Sequence, residues 1–385
     1  MRDCAKTELA QSPRFFERGG MKKIILKIHE IIGLLTGVVV LIVSLTGSLW
    51  VFNEEINNLV YGALAVPVRN QQPLIPSAAK EIASKVFPGK SIHGIYYGKA
   101  NEPLEVIFYE PEPEFYSSVY LDPYSGKILK SENHLEGFFA FLLEGHLGLW
   151  LPEEIGSEIV KVSVLLFMIA LISGFYLWTK GKNKKRRLWF DWNINTRWKR
   201  KNYDLHSIIG FYIFFLAFII AFTGAVMAYD WFYYIVYKGA GGEKDPRFII
   251  PNNVSIGKNE EMQTRIDELL PILKGSYPDA DGYEIHFPHS DSSSIYAEVY
   301  KKKGIYYNAD YLFFDQYTLE EINTPSLYGR AEDADFADSI IRMNYDVHVG
   351  AIGGIAGKTV AFFVSLFCAS LPVTGFLLWL GKRKK

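Results

Sequence analysis

At 385 residues and a formal net charge of −1 at pH 7, the chain is long enough for two or three domains and lacks the cationic excess of a nucleic-acid binder. Its two cysteines, Cys4 and Cys368, exclude a disulfide framework or a cysteine metal cluster. The 49 % hydrophobic content is concentrated in a few long runs, and these set the class.

Residues 1–20 are polar and without periodicity, and Met21-Lys22-Lys23 reads as a natural start, so a disordered extension or a mis-assigned start is expected there. Residues 21–55 form the first transmembrane helix. Residues 31–52 hold no ionisable side chain, about the length that crosses a hydrocarbon core of roughly 30 Å, and no small-residue cleavage site follows. A first small α+β domain occupies 56–133, with a helix over 76–87 closed by Pro88-Gly89, strands at 91–97, 104–110, 115–121 and 127–130, and the turn Asp122-Pro-Tyr-Ser-Gly126. Residues 134–180 hold an outer helix and the second span, uncharged over 162–179; 181–203 form a basic linker; 204–232 form the third span, uncharged over 207–229. The second α+β domain, 233–338, repeats the order with a helix near 262–275, strands at 282–287, 294–301 and 304–308, and Asp315-Gln-Tyr-Thr318 in place of the first turn. An outer helix and the fourth span, uncharged over 359–380, complete 339–385. The fold class is an α-helical integral membrane protein with four main spans in two pseudo-repeats, plus two small α+β extracytoplasmic domains.

Lys22, Lys23 and Lys27 precede the first span, ten Lys or Arg against the single Asp191 lie between Lys180 and Lys201, and Lys382, Arg383, Lys384 and Lys385 close the chain. In a bacterial inner membrane such short basic segments stay cytoplasmic, which puts both termini inside and both small domains in the periplasm. All eight tryptophans (Trp50, Trp150, Trp178, Trp189, Trp192, Trp198, Trp231 and Trp379) fall at or just beyond span ends, where amphipathic rings meet the headgroups of the lipid bilayer.

One two-segment unit, used twice, carries a histidine at each segment edge. His29 precedes Gly47 and His206 precedes Gly224 by 18 residues each, while His146 precedes Gly174 by 28 and His348 precedes Gly375 by 27. Agreement at four places points to haem, because imidazole is an axial ligand of haem iron and two histidines on facing helices leave no open position for substrate. Gly33 and Gly210, four residues after His29 and His206, leave a bare patch on the same helix face for a flat macrocycle. Eighteen helical residues rise about 27 Å, so His29 pairs with His206 near the cytoplasm and His146 with His348 near the outer face. Two b-type haems so placed form an electron path across the bilayer. His134, twelve residues before His146, is a reserve ligand. The competing reading gives these histidines headgroup or backbone hydrogen bonds instead.

Glu144, Asp204 and Asp346 stand two residues before three of the histidines, an offset that favours helix capping over support of the ring. Thr46, Ser173, Thr223 and Thr374, each followed by glycine, read as packing and bend positions. Arg342, Lys358 and Lys161 are candidate contacts for haem propionates, with snorkelling as the alternative. His286, His289 and Asp291 form a metal-capable group with no counterpart in the first copy, where His93 stands alone, so a solvent-facing or structural role is expected for them.

The segments Lys27-Ile-His29-Glu-Ile-Ile-Gly33, Leu45-Thr-Gly-Ser-Leu-Trp50, Asp204-Leu-His206-Ser-Ile-Ile-Gly210, Ser173-Gly-Phe-Tyr-Leu-Trp178 and Thr374-Gly-Phe-Leu-Leu-Trp379 resemble the PepSY-associated transmembrane family. The two outer domains, with Asp122-Pro-Tyr-Ser-Gly126, resemble PepSY domains. The resemblance runs from Met21 to the C-terminus. It implies kinship with iron-regulated inner-membrane proteins and with dihaem ferric-siderophore reductases, and it maps the family's membrane histidines onto His29, His146, His206 and His348. The turn after Asp315 lacks the glycine found at Gly126, so a degenerate second domain is expected.

The leading functional expectation is an inner-membrane b-type haem oxidoreductase that reduces a ferric siderophore or another ferric chelate in the periplasm. No Gly-x-Gly-x-x-Gly loop is present, and the cytoplasmic linker is too short for a flavin domain, so the electron donor is a quinol, a small reductant or another protein. One alternative is an iron or iron-chelate transporter, against which the uncharged mid-spans weigh. The other is a non-enzymatic PepSY envelope protein that binds or regulates a partner.

Overall fold

The computed structural model describes residues 17–62, 64–181, 187–255 and 263–383. The extension expected at 1–20 lies outside these up to residue 16, and from Glu17 onward the chain is helical. The first copy runs α1 (Glu17–Trp50), α2 (Asn53–Tyr61), α3 (Pro76–Ser84), β1 (Ile92–Tyr97), β2 (Leu104–Pro111), β3 (Glu114–Leu121), β4 (Ile128–Asn133), α4 (Phe138–Gly148) and α5 (Glu153–Thr179). The second runs α6 (Trp198–Asp204), a π-helical turn (Leu205–Ile209), α7 (Gly210–Ala228), α8 (Asp230–Gly239), α9 (Leu269–Ser276), β5 (Gly282–His286), β6 (Ile295–Tyr300), β7 (Asp310–Phe314), α10 (Phe336–Arg342), α11 (Asn344–His348) and α12 (Gly354–Arg383).

Four helical stretches among the described residues are long and apolar enough to cross a membrane: Gly20–Trp50, Glu153–Thr179, Trp198–Ala228 and Ala351–Lys382. Backbone polar groups find no water in hydrocarbon, so each stretch satisfies its own hydrogen bonds as helix. The four close into a ring in which α1 and α7 each pack against both α5 and α12. Leu35, Val38, Phe215 and Phe363 stay exposed, as lipid-facing side chains of spanning helices are.

In place of two separate α+β domains, the structure holds one seven-stranded antiparallel sheet of order β4-β3-β2-β1-β5-β6-β7. The copies join where β1 meets β5, with Gly94 opposite His286, Ile95 opposite Ile285, Tyr96 opposite Glu284 and Tyr97 opposite Tyr283. Each copy alone would present β1 or β5 as an unpaired edge, and pairing the two edges satisfies both. Strand alternation directs Ile95, Val106, Val119, Ile285, Ala297 and Leu312 to one face. There they share a single core with Ala79 and Ala83 of α3 and Leu269 and Leu273 of α9. Burying each large aliphatic side chain contributes about 1.5–3 kcal/mol, so the seam is held by its core as well as its ladder. The opposite face carries Tyr96, Glu105, Glu284, His286, Tyr296, Glu298 and Tyr300.

Two local expectations are corrected. Residues 304–308 form a turn and β7 starts at Asp310. Gly304 takes φ 73°, and the Asp346 carboxylate accepts the backbone N–H of Tyr306 at 2.9 Å and of Tyr307 at 2.7 Å, which diverts those donors from a ladder. The second domain's turn is also intact. Asp315 Oδ1 accepts the N–H of Tyr317 and Thr318 as Asp122 Oδ1 accepts those of Tyr124 and Ser125. Leu319 adopts φ 60° where Gly126 adopts φ 72°, and its contact with the core retains a side chain in a conformation that favours glycine.

Candidate functional site

Each membrane histidine lies on the small-residue and glycine pair of the other segment of its own copy. His29 Nδ1 contacts Ala170 O at 3.1 Å and Ser173 Oγ at 3.0 Å, and His146 Nδ1 contacts Val43 O at 2.9 Å. His206 Nδ1 contacts Thr374 Oγ1 at 3.0 Å, and His348 Nδ1 contacts Ile220 O at 3.0 Å and Thr223 Oγ1 at 3.1 Å. A donor Nδ1–H toward the helix carbonyl fixes the tautomer and leaves Nε2 with its lone pair free. Among the described residues Nε2 has no hydrogen-bond partner in any of the four.

The adjacent glycines make room for the rings. A Cβ at Gly47 would stand 2.6 Å from His146 Cε1, at Gly174 3.0 Å from His29 Cε1, at Gly224 3.1 Å from His348 Cε1, and at Gly375 3.2 Å from His206 Cε1. The positions read from sequence as packing and bends are therefore the seats of the histidine rings. The hydroxyls also bond back to their own helix, Thr374 to Ser370 O at 2.9 Å and Thr223 to Ile219 O at 2.9 Å.

Across the two copies the rings come together in the combination read from span geometry. His29 and His206 have ring centroids 6.1 Å apart, and His146 and His348 have centroids 6.3 Å apart. Imidazole nitrogens bound on opposite sides of one metal at about 2 Å, each about 1.1 Å from its ring centre, separate the centroids by roughly 6.2 Å. Both gaps thus have the width of a bis-imidazole centre. Beside the first, a Cβ at Gly33 would meet nothing within 4 Å, and one at Gly210 only Leu371 at 3.7 Å. Two imidazoles at this spacing, with bare glycines beside the first pair, are the donor set that a flat group with two axial nitrogens would need.

Asn202 and Asn344 were not singled out by sequence reasoning, although the signal is there. Asn202-Tyr-Asp-Leu-His206 and Asn344-Tyr-Asp-Val-His348 repeat one pattern. Four residues before each histidine, the buried amide donates to the carbonyl of the histidine's threonine: Asn202 Nδ2 to Thr374 O and Asn344 Nδ2 to Thr223 O, both at 3.0 Å. His206 itself lies in the π-helical turn, a local widening that re-aims side chains and recurs at functional sites.

The flanking acids do not cap. Asp204 accepts from Arg200 Nε at 2.8 Å and Trp192 Nε1 at 3.1 Å, Asp346 holds the Tyr306 and Tyr307 amides, and Glu144 is exposed. His134 belongs to the sheet rather than to the helix of His146: its N–H bonds Tyr116 O, and its Nε2 lies 2.8 Å from Ser118 Oγ. Lys161 pairs with Glu158 at 2.8 Å and Lys358 with Glu55 at 2.7 Å. Arg342 is buried and donates to the carbonyls of Tyr307, Leu327, Gly329 and Ala309.

A cavity of about 520 Å³ lies between the end of α7, α8, the second half of the sheet and α10–α11. Tyr306, Tyr311, Tyr328, Tyr345, Arg342 and Asn344 are among its walls. Because Asn344 also braces Thr223, the wall is one residue removed from the seat of His348.

Residues 26–382, nearly the whole chain, match the family described as PepSY-associated TM region. No curated protein matches the chain.

Proposed function

The chain belongs to the PepSY-associated TM family, and from that premise we propose that it is a membrane oxidoreductase that carries electrons through two b-type haems, His29 with His206 and His146 with His348, to a ferric chelate on the side of the sheet. The observation that supports this most is the pair of imidazole gaps, 6.1 and 6.3 Å between centroids, with every Nδ1 engaged by a helix. When bound, a bis-imidazole haem supplies one-electron transfer without an open coordination site. The protein's share is orientation: serine, threonine and carbonyl acceptors hold each ring, and glycines admit it. Val43, which holds His146, is 14 residues beyond His29 on α1, so the two levels are separated by about 21 Å of helix rise.

In this reading the basic segments hold the donor side in the cytoplasm, which leaves the sheet in the periplasm. Acceptor reduction there takes only close approach to the outer centre, and the tyrosine-lined cavity beside Asn344 and Arg342 is the docking place this reading assigns to a siderophore-sized chelate. The donor is a quinol, a small reductant or a protein. The test is the dithionite-reduced minus oxidised spectrum of detergent-purified protein, with haem counted per chain, for the natural protein, His206→Ala and His348→Ala. A b-type band at two haems per chain, falling toward one in each variant, is expected. Haem-free protein after expression with haem supplied refutes the proposal.

A further inference from the structure

A second cluster of ligating side chains lies at the seam of the sheet. Nitrogen or oxygen atoms of His93, Glu284 and His286 all fall within 4.8 Å of one another. They come from different copies, and two features of β1 and β5 bring them together. The β1–β2 register slips between Ile92 and Gly94, so His93 is an extra residue, a bulge, and bulges re-aim side chains. Its ring then stands 4.7 Å from that of His286, against an edge-on angle of 83°. The expectation that His93 stands alone is thus corrected, because strand pairing joins it to the buried His286; His289 and Asp291 are exposed beyond the strand end, in the solvent-facing position expected of them.

The cluster has the marks of a built site. His286 is 6 % exposed, and its Nε2 is buried without a hydrogen bond, 3.4 Å from Glu284 Oε1 and 3.7 Å from Glu298 Oε1. The ring nitrogen thus stands within ion-pair distance of two carboxylates, with no hydrogen bond of ordinary geometry joining it to either. The carboxylates are themselves oriented: Tyr300 donates to Glu298 Oε2 at 2.6 Å and to Glu284 Oε2 at 3.2 Å, and Tyr296 donates to Glu298 Oε1. Gly94 sits directly across from His286, where a Cβ would come within 3.1 Å of His286 Nδ1 and 3.2 Å of Glu284 Oε1. His93 is exposed, which leaves the cluster open to solvent on one side.

The geometry points to a binding site for one divalent first-row transition-metal ion, held by His93, His286 and Glu284, with Glu298 as a neighbouring carboxylate. Two imidazoles with carboxylate oxygen suit ions such as Zn²⁺ or Fe²⁺, and the nitrogen share disfavours Mg²⁺ and Ca²⁺. The inference stands on the sheet alone and is independent of the haem reading.

The experiment is calorimetric titration of the full-length, tag-free protein with Zn²⁺, and Co²⁺ titration followed by its visible d–d absorption. The variants are His93→Ala, which alters an exposed side chain, and His286→Ala, each checked for a folded sheet by circular dichroism. One saturable equivalent is expected, unaffected by millimolar Mg²⁺ or Ca²⁺ and weakened roughly ten-fold or more by His93→Ala. No saturable binding, or binding that His93→Ala leaves unchanged, overturns the site even if His286→Ala fails to fold.

Discussion

Placing one methyl group at Gly47 tests whether the seats of the membrane histidines control cofactor binding. In Gly47→Ala the new Cβ would lie 2.6 Å from His146 Cε1 and 2.8 Å from Nδ1, inside any ordinary contact. Restoring a separation of 3.4 Å moves the ring by roughly 0.8 Å, while the 6.3 Å gap to His348 has only about 0.1 Å to spare over a bis-imidazole centre. Overpacking of this kind costs about 1–3 kcal/mol, and the gain from replacing helical glycine with alanine, about 1 kcal/mol, offsets part of it. The fold therefore survives while the outer gap is spoiled. Gly375→Ala is the graded control, since its Cβ would lie 3.2 Å from His206 Cε1 and a shift of roughly 0.2 Å relieves it. The assay is haem per chain by pyridine haemochrome, with a potentiometric titration to separate the two centres. Gly47→Ala is expected to lose the outer centre and keep the inner one, and Gly375→Ala to keep both. Two haems with unchanged potentials in Gly47→Ala, or a larger loss in Gly375→Ala, would refute the reasoning.

Other outcomes follow from the same contacts. Asn344→Ala removes a buried donor from Thr223 O and is expected to weaken haem retention at the outer pair by roughly ten-fold, read by haem transfer to apomyoglobin, with the inner pair unaffected. Asp346→Ala leaves the Tyr306 and Tyr307 amides without their acceptor, so amide exchange across the 304–308 turn should quicken by about ten-fold or more while the β1–β5 seam stays protected. Burial raises the Glu284 carboxyl to about 7 from its ordinary 4.5; the folded state then holds a proton the unfolded chain has released, and stability falls as pH rises through that window. In metal-free protein at pH 8, Glu284→Gln should therefore be the more stable, by on the order of 3 kcal/mol, and unfold at a higher temperature; calorimetric melts at pH 5 and pH 8 check it.

How much of this was legible depended on the range of the interaction that decides each feature. The spans were readable because an uncharged run of span length has one physical solution in hydrocarbon, and the histidine pairing because helix rise forbids the other combinations. The helix and most strands of each domain followed from local periodicity. The joining of the domains did not, since an edge that is paired and one that is open carry the same alternation, and Ile95 does not announce that Ile285 lies opposite. The role of Thr223-Gly224 and its three relatives was hidden for a related reason: a glycine that admits another helix and one that admits a ring look alike in sequence. Asn202 and Asn344 are different. Their five-residue repeat was there to be read, and only the histidine and aspartate in it were weighed.

The duplication also explains why the seam holds one candidate metal site and not two. Phe87-Pro88 and Tyr277-Pro278 are corresponding positions, 190 residues apart, and that offset matches Ile95 to Ile285, which face each other in the ladder. A local two-fold relation therefore passes between these isoleucines, as equal positions meet in any self-complementary contact. The same relation matches Glu284 to Gly94 and His286 to Tyr96, while the bulge that brings His93 to this face has no counterpart at Tyr283, which packs in the core; on the symmetric side of the seam no ligand has a twin. Where Glu284 would have a twin, Gly94 has no side chain, and that space is what the imidazole of His286 faces. The two copies thus kept their symmetry at the membrane histidines and lost it at the seam. Gly94→Val, which fills that space without adding a ligand atom, should abolish the saturable Zn²⁺ equivalent. Retained stoichiometric binding in that variant would show that the ion sits elsewhere.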